Sequence, residues 1–127
     1  MRTLRRPSRP PVPATPPLSI ALFAVAAFVG ALGQLLYKAG AARLDGTVAG
    51  VLLNAPLLGG VACYVAVMGL FVAAYRIGGQ PNVLYPVYAS TFAWAAVLVW
   101  IGGGAPVRPV HVAGLALLVG GMVLLGR

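Results

Sequence analysis

Two polar side chains, Gln34 and Lys38, interrupt a run of residues that is otherwise apolar or glycine, in the segment "GQLLYKAG" (33 to 40). Gly30, Gln34 and Lys38 are spaced by four and share one stripe of a helix. Lys38 lies near the end of the run, where a long side chain either reaches the lipid headgroups or binds a ligand. Gln34 is shorter and lies one turn deeper, so we expect it to face protein or water. An ammonium and an amide so placed can bind phosphate and sugar groups.

A second set of polar groups lies in the segment "NVLYPVYASTFAWAAVLVW" (82 to 100). Anchoring at the membrane interface is a sufficient role for Tyr85, but it explains Tyr88 and Thr91 less well because both lie deeper. Pro86 removes a backbone hydrogen bond from the first turns of this helix. The basic side chains near the helix ends, Lys38 and Arg43 as well as Arg76, can pair with phosphate oxygens. The predicted substrate-binding residues are Gln34, Lys38, Arg76, Tyr85, Tyr88 and Thr91.

The sequence gives no support for catalysis. His111 opens the last apolar run without a neighbouring acid or serine, so we interpret it as an interfacial residue and not a base. There is no metal-ligand spacing and no glycine-rich phosphate loop. We therefore expect no enzymatic activity, no metal and no cofactor.

The composition indicates a membrane protein. Of the 127 residues 61% are hydrophobic and only 8% are charged, whereas a soluble domain has about 25% charged residues. The net charge of +8 would suggest nucleic acid in a soluble chain, but here the basic residues lie at the ends of apolar runs, where they favour anionic lipid headgroups. We therefore predict a lipid bilayer as the environment and no nucleic-acid partner.

Four apolar runs are long enough to span a bilayer, which takes about 20 residues. They predict an all-α membrane protein whose four transmembrane helices cover residues 18–37, 56–75, 83–101 and 109–125. The turns at 78–82 and 102–108 are rich in glycine and proline, so consecutive helices should be antiparallel neighbours. Asn54 is a candidate N-cap for the second helix, and "VAGVLLN" before it predicts a short interfacial piece.

The chain divides into an Arg- and Pro-rich tail, residues 1–17, and a transmembrane domain, residues 18–127. The tail cannot bury enough apolar surface to fold, so we expect it to be disordered. With the N-terminus inside, six basic residues lie on the cytoplasmic side and three on the other, which favours N-in/C-in topology. Without the tail the counts are two and three, so dual topology stays open. The two groups are Arg2, Arg5, Arg6, Arg9, Arg76 and Arg127, against Lys38, Arg43 and Arg108.

Small residues predict where helices approach each other. In the second span, small side chains recur at three- and four-residue spacing and include Gly59 and Gly69, opposite a bulky stripe that either packs or lines a ligand cavity. In the fourth span Gly114 and Gly121 are seven residues apart on one face. We predict that these four glycines pack helices, within a protomer or between protomers.

Three segments together resemble the four-helix members of the drug/metabolite transporter superfamily: "GQLLYKAG", "YPVYASTFAWAAVLVW" and "APVRPVHVAGLALLVGG". The resemblance covers about three quarters of the chain. It is greatest to the small subunits assigned as flippases of undecaprenyl-phosphate aminoarabinose, which have a similar Gly-Gln-x-x-x-Lys pattern and a similar Tyr-Pro. The small multidrug resistance proteins show the next greatest resemblance. The resemblance implies an inner-membrane transporter that works as a homodimer or with a homologous subunit.

The sequence departs from the multidrug exporters at the residue that carries their mechanism. Those proteins have a glutamate in the first helix, and aligning the lysines puts Gly30 at that position. Asp45, in a loop, is the only acid of the chain. We therefore expect a flippase subunit that moves a polyprenyl-phosphate-linked sugar or a similar amphiphile. The alternatives are a non-transporting membrane subunit that organises a glycosyltransferase, and an exporter of the multidrug type without its usual glutamate.

Overall fold

The computed structural model describes residues 7–125 and Arg127, and all regular secondary structure in this part of the chain is helical. Three segments are long and apolar enough to cross a membrane, and a shorter apolar helix follows them. This is compatible with a multi-pass membrane protein. The helices are α1 (Pro17–Ala41), α2 (Val48–Leu52), α3 (Ala55–Arg76), α4 (Pro81–Tyr88), α5 (Thr91–Ile101) and α6 (Pro109–Leu125).

Helix α1 is the centre of the bundle. It packs antiparallel along α3 and also contacts α4 and α5, whereas α6 lies outside and contacts α4. Close approach of α1 and α3 depends on glycine: a Cβ atom on Gly60 would lie 2.5 Å from Cδ1 of Tyr37, and one on Gly33 would lie 2.9 Å from Cβ of Cys63. Beside these glycines the rings of Tyr37 and Tyr64 stack with their centroids 5.0 Å apart.

An aromatic cluster fills the other half of the interface between α1 and α3. The ring of Phe23, which is fully buried, stacks on Phe71 with 4.2 Å between centroids. The edge of Tyr88 meets Phe71 at 4.9 Å, and Tyr75 meets Phe23 at 5.5 Å. Leu84 completes the buried cluster. Such pairs contribute about 0.5–1.5 kcal/mol each beyond their buried area.

The face of α3 that meets α1 is the bulky stripe and not the small one. Three of its side chains, Tyr64, Phe71 and Tyr75, are partly buried there, whereas Met68 is exposed. Bulky rings pack here because the small residues that receive them lie on α1, where Ala26, Ala27 and Gly30 are buried. Packing therefore explains most of the bulky stripe.

Hydrogen bonds tie α1 to its neighbours at both ends. The Ser19 hydroxyl donates to the carbonyl oxygen of Ala74 over 2.9 Å, and Nδ2 of Asn54 donates to the carbonyl oxygen of Gly40 over 2.7 Å. Oδ1 of Asn54 also accepts from the backbone amide of Leu57, which confirms its prediction as the N-cap of this helix. The segment predicted as a short interfacial piece contains helix α2, and its place at an interface stays a prediction.

The end of the N-terminal tail contacts the turn before α4. Residues 7–16 have no regular structure, but the Thr15 hydroxyl accepts a hydrogen bond of 3.3 Å from the backbone amide of Gln80, in the turn before α4. Pro17 already belongs to α1, whose first turn tolerates proline because no intrahelical bond is lost there. The predicted disorder of residues 1–6 lies outside the described residues.

The third predicted span consists of two helices. Helix α4 contains Pro86 and ends at Tyr88, and Ala89 and Ser90 form a tight turn before α5. The amides of Ser90 and Phe92 bond carbonyls three residues back, on Val87 and Ala89. A proline within the helix removes one backbone donor and so favours such a local tightening.

Candidate functional site

Gln34 and Lys38 are both exposed, on a helix whose other faces are packed or apolar. Within the protomer no helix covers Gln34, so the prediction that it faces protein or water depends on what lies outside the protomer. A step of four residues turns a helix by about 40° beyond a full circle. Gly30 is buried, and Gln34 and Lys38 are rotated progressively outward from it. The result is a polar stripe on the outside of an apolar helix.

The hydroxyl of Tyr88, on α4, packs against Gly30 of α1. A Cβ atom built on this glycine would be 2.8 Å from the tyrosine oxygen. The ring itself is held by edge contacts with Phe71 and Phe23. The phenol therefore occupies the space that a side chain at residue 30 would need, in the middle of α1.

Thr91 lies one turn beyond Tyr88 and is 5% exposed. Its hydroxyl has no hydrogen-bond partner among the described residues. An unsatisfied buried hydroxyl costs about 1–3 kcal/mol, so this oxygen is an available donor or acceptor next to the Tyr88 contact. Sequence reasoning selected both residues, and the fold brings them against the same helix, since α4 and α5 both contact α1.

Arg76 and Tyr85 do not join Lys38. Both are exposed at the opposite end of the bundle, because Ala74 pairs with Ser19 at the beginning of α1. The 19 residues from Ser19 to Lys38 place the two ends about 28 Å apart at 1.5 Å per residue. The six predicted substrate-binding residues therefore divide into two ends and a middle, and cannot contact one phosphate together.

The predicted packing glycines behave differently from one another. A Cβ atom on Gly59 would meet Cδ1 of Leu36 at 3.3 Å, so this residue borders the contact with α1. A Cβ atom on Gly69, Gly114 or Gly121 would meet no atom of the described residues within 4 Å outside its own stretch of helix. Their packing role stays a prediction.

The loop between α1 and α3 forms an open cavity of about 380 Å³, and the polar residues that line it are Arg43, Asp45, Thr47 and Asn54. The Thr47 hydroxyl donates to Oδ1 of Asp45 over 2.6 Å, and the Thr47 backbone amide donates to the same oxygen over 3.0 Å. These bonds lower the pKa of the Asp45 carboxyl below its ordinary value of 3.8. The Asp45 carboxylate therefore accepts its hydrogen bonds from Thr47, within its own loop.

An apolar groove of about 800 Å³ separates α5 from α6. Phe92, Ala96 and Val99 contribute to its wall on α5, and Gly114 and Leu118 to its wall on α6. Sequence analysis did not identify this groove, because nothing in two apolar runs indicates that their helices diverge. It also left His111 without a partner, whereas Nδ1 of this residue accepts a hydrogen bond of 3.1 Å from the backbone amide of Arg108.

Other structural residues were also missed. Ser19 and the close-approach glycines Gly33 and Gly60 have roles that only the pairing of α1 with α3 defines. The seven-residue spacing of Gly33 and Gly40, both buried, was a usable signal in the sequence. No group of three or more metal-ligating side chains occurs in residues 7–125 or at Arg127.

No protein-family model matches the chain, and no curated protein or solved structure matches it either.

Proposed function

We propose that this protein is a four-span, N-in/C-in subunit of the inner membrane that moves a polyprenyl-phosphate-linked sugar or a similar amphiphile between leaflets. The observation that carries the proposal is the exposed stripe of Gln34 and Lys38 on an apolar helix. Polar side chains at membrane depth are costly against lipid and generally face protein or a water-filled cavity. The stripe therefore faces a vestibule completed by a second copy or by a homologous subunit.

The charges favour an anionic substrate. Lys38, Arg43 and Arg108 lie at one end of the bundle and Arg76 at the other, and the sole acid, Asp45, is bonded within its loop. Tyr88 and Thr91 offer hydroxyls between the two ends. A phosphate can thus find a basic side chain on either side of the membrane, whereas a cation or proton finds no carboxylate within a helix. The motif resemblance to flippase subunits favours the same substrate class.

The test is a leaflet-resolved assay of lipid-linked sugar in vesicles that contain the protein. We expect Lys38→Ala and Gln34→Leu each to slow transport about tenfold, which corresponds to the loss of one charge-assisted hydrogen bond. Membrane abundance should not change, because neither side chain packs inside the protomer. Leu32→Ala on the same helix is the matched control and should transport normally. Unaltered transport in both polar variants at normal abundance would remove the proposed role of the stripe.

One observation favours a second candidate, a non-transporting subunit that organises a glycosyltransferase. Within a single protomer, the rings of Phe23, Phe71 and Tyr88 fill the space between α1, α3 and α4. A scaffold needs no path through its core. Transport by the protein without any enzyme in the vesicles excludes this alternative.

A further inference from the structure

The groove between α5 and α6 has the size and lining of a binding site for a hydrocarbon chain. Its volume of about 800 Å³ falls in the range of ligand pockets, about 300–1,000 Å³. Small residues on both walls, including Ala96 and Gly114, create the space, and a Cβ atom built on Gly114 would meet no atom of the described residues within 4 Å outside its own stretch of helix. The site is separate from the stripe of Gln34 and Lys38 on α1.

One polar side chain lines the groove, at the beginning of α6. It belongs to His111, whose Nδ1 accepts from the backbone amide of Arg108 over 3.1 Å. This bond is one half of a capping box, in which the side chain of the third helical residue satisfies the amide of the residue before the helix. Because Nδ1 is an acceptor, the proton of the neutral ring is on Nε2, which is then a free donor. Arg108 does not line the groove, but it is exposed and lies three residues before His111, so it brings a permanent positive charge to the same end of α6.

We propose that this groove binds one chain of an anionic phospholipid, with its phosphate at His111 and Arg108. Between two helices of a membrane protein, an apolar groove is open to lipid chains, and a donor with a positive charge at one end of it complements a phosphodiester. No acidic side chain opposes this charge on α5, α6 or their connection. The inference goes beyond the proposed transport function, since the groove can bind a lipid chain whether or not the protein moves a substrate.

The experiment measures retained lipid by native mass spectrometry. The full chain is extracted from vesicles of equal parts phosphatidylglycerol and phosphatidylcholine. We expect phosphatidylglycerol to be retained in preference. Gly114→Leu, which fills the groove, should weaken retention about tenfold, because excluding two methylene groups is sufficient for that loss. Ala96→Leu fills the groove from α5 and should act in the same way.

Gly120→Leu is the matched control. Gly120 is on the same helix, does not line the groove and also has open space at its Cβ position, so this variant should retain lipid normally. Arg108→Gln combined with His111→Leu should remove the preference for phosphatidylglycerol over phosphatidylcholine while the groove still accepts a chain.

Three results would overturn the proposal. The first is a wild-type protein that retains no phosphatidylglycerol. The second is equal retention by Gly114→Leu and Gly120→Leu. The third is a Gly114→Leu protein that retains lipid normally but has a smaller oligomer by light scattering, since a second copy of the chain would then occupy the groove. A protein that does not transport in the leaflet-resolved assay should still give these lipid-retention results, so each proposal can be rejected without the other.

Discussion

The contact between Tyr88 and Gly30 depends on the absence of a side chain on the glycine, which leaves space on α1 for the hydroxyl of a tyrosine on α4. The phenol oxygen lies where a side chain on residue 30 would begin, and the ring cannot move aside easily because Phe23 and Phe71 hold it. The sequence predicted that Tyr88 has more than an interfacial role. It did not predict this partner, since pairing between helices is a tertiary property.

Gly30→Ala should destabilise the protein by about 1–3 kcal/mol, as overpacking of a filled core does. Tyr88→Phe removes the oxygen that the new methyl group meets, so the double variant should recover most of the loss. The free energy of unfolding by sodium dodecyl sulfate in mixed micelles measures both effects. Additive losses in the double variant would show that the two groups do not share this space.

The Asp45 carboxylate gives the loop a pH-dependent element. Its pKa is lowered by the hydrogen bonds from Thr47, so these bonds contribute to loop order above pH 3.8, and the contribution is lost as the pH falls through the lower pKa of the folded state. The amide proton of Thr47 should therefore show an NMR shift that titrates with a midpoint below 3.8. In Asp45→Asn the shift should be independent of pH in this range. A midpoint above 3.8 would contradict the bonding described for Asp45.

At the scale of elements, α1 and α3 form one closely packed antiparallel pair, and sequence reasoning could not define its contact surface. The apolar runs located the helices, although α1 continues to Ala41 and the run at 83–101 forms two helices. The capping role of Asn54 followed from a local signal, which does not depend on a partner helix. The packing face of α3 depends on the shape of α1. For this reason Gly60, and not Gly69, is at the close approach.

Gly60→Leu should destabilise the protein by about 1–3 kcal/mol, because the new side chain meets the ring of Tyr37 and the carbonyl oxygen of Gly33. Gly69→Leu is the matched change on the exposed side of α3 and should alter the free energy of unfolding by less than about 0.5 kcal/mol. Unfolding in mixed micelles compares the two. Equal losses would place Gly69 at a contact as close as that of Gly60.

Asn54 joins two elements through its two side-chain bonds. Asn54→Ala removes the cap, worth about 0.5–2 kcal/mol, and leaves the Gly40 carbonyl without this donor. Asn54→Ser keeps a capping oxygen but is too short to reach Gly40, so it should lose less stability than the alanine variant. Thermal unfolding followed by circular dichroism measures the order of stability. A serine variant as unstable as the alanine variant would assign the whole effect to the bond with Gly40.

At the scale of the molecule, the sequence predicted the number of apolar segments and their order but not the shape that they make. Three segments are long enough to cross a membrane, and the fourth, α6, is present but shorter. The groove beside α6 and the turn at Ala89 and Ser90 arise from how helices diverge and tighten. Pro86 was a local signal for the turn, but nothing in the two apolar runs that form α5 and α6 marks the groove between them.

The predicted topology is testable by labelling single cysteines from either side of the membrane in a Cys63→Ser background. Val12→Cys and Ile77→Cys should react from the cytoplasmic side, and Ala41→Cys and Ala105→Cys from the other. All four side chains are exposed, and none of the four positions requires a positive φ, unlike Gly78 and Gly103. Labelling of each position from both sides would indicate dual insertion.

The ties at the beginning of α1 set an order of events during synthesis. Ser19 and Thr15 bond partners that follow them by 55 and 65 positions in the chain. At about 5–20 residues per second, the ribosome makes α1 several seconds before Ala74 and Gln80 exist. Until then the Ser19 hydroxyl lacks the carbonyl that it bonds in the folded protein, so helix α1 is complete before it can pair at this end.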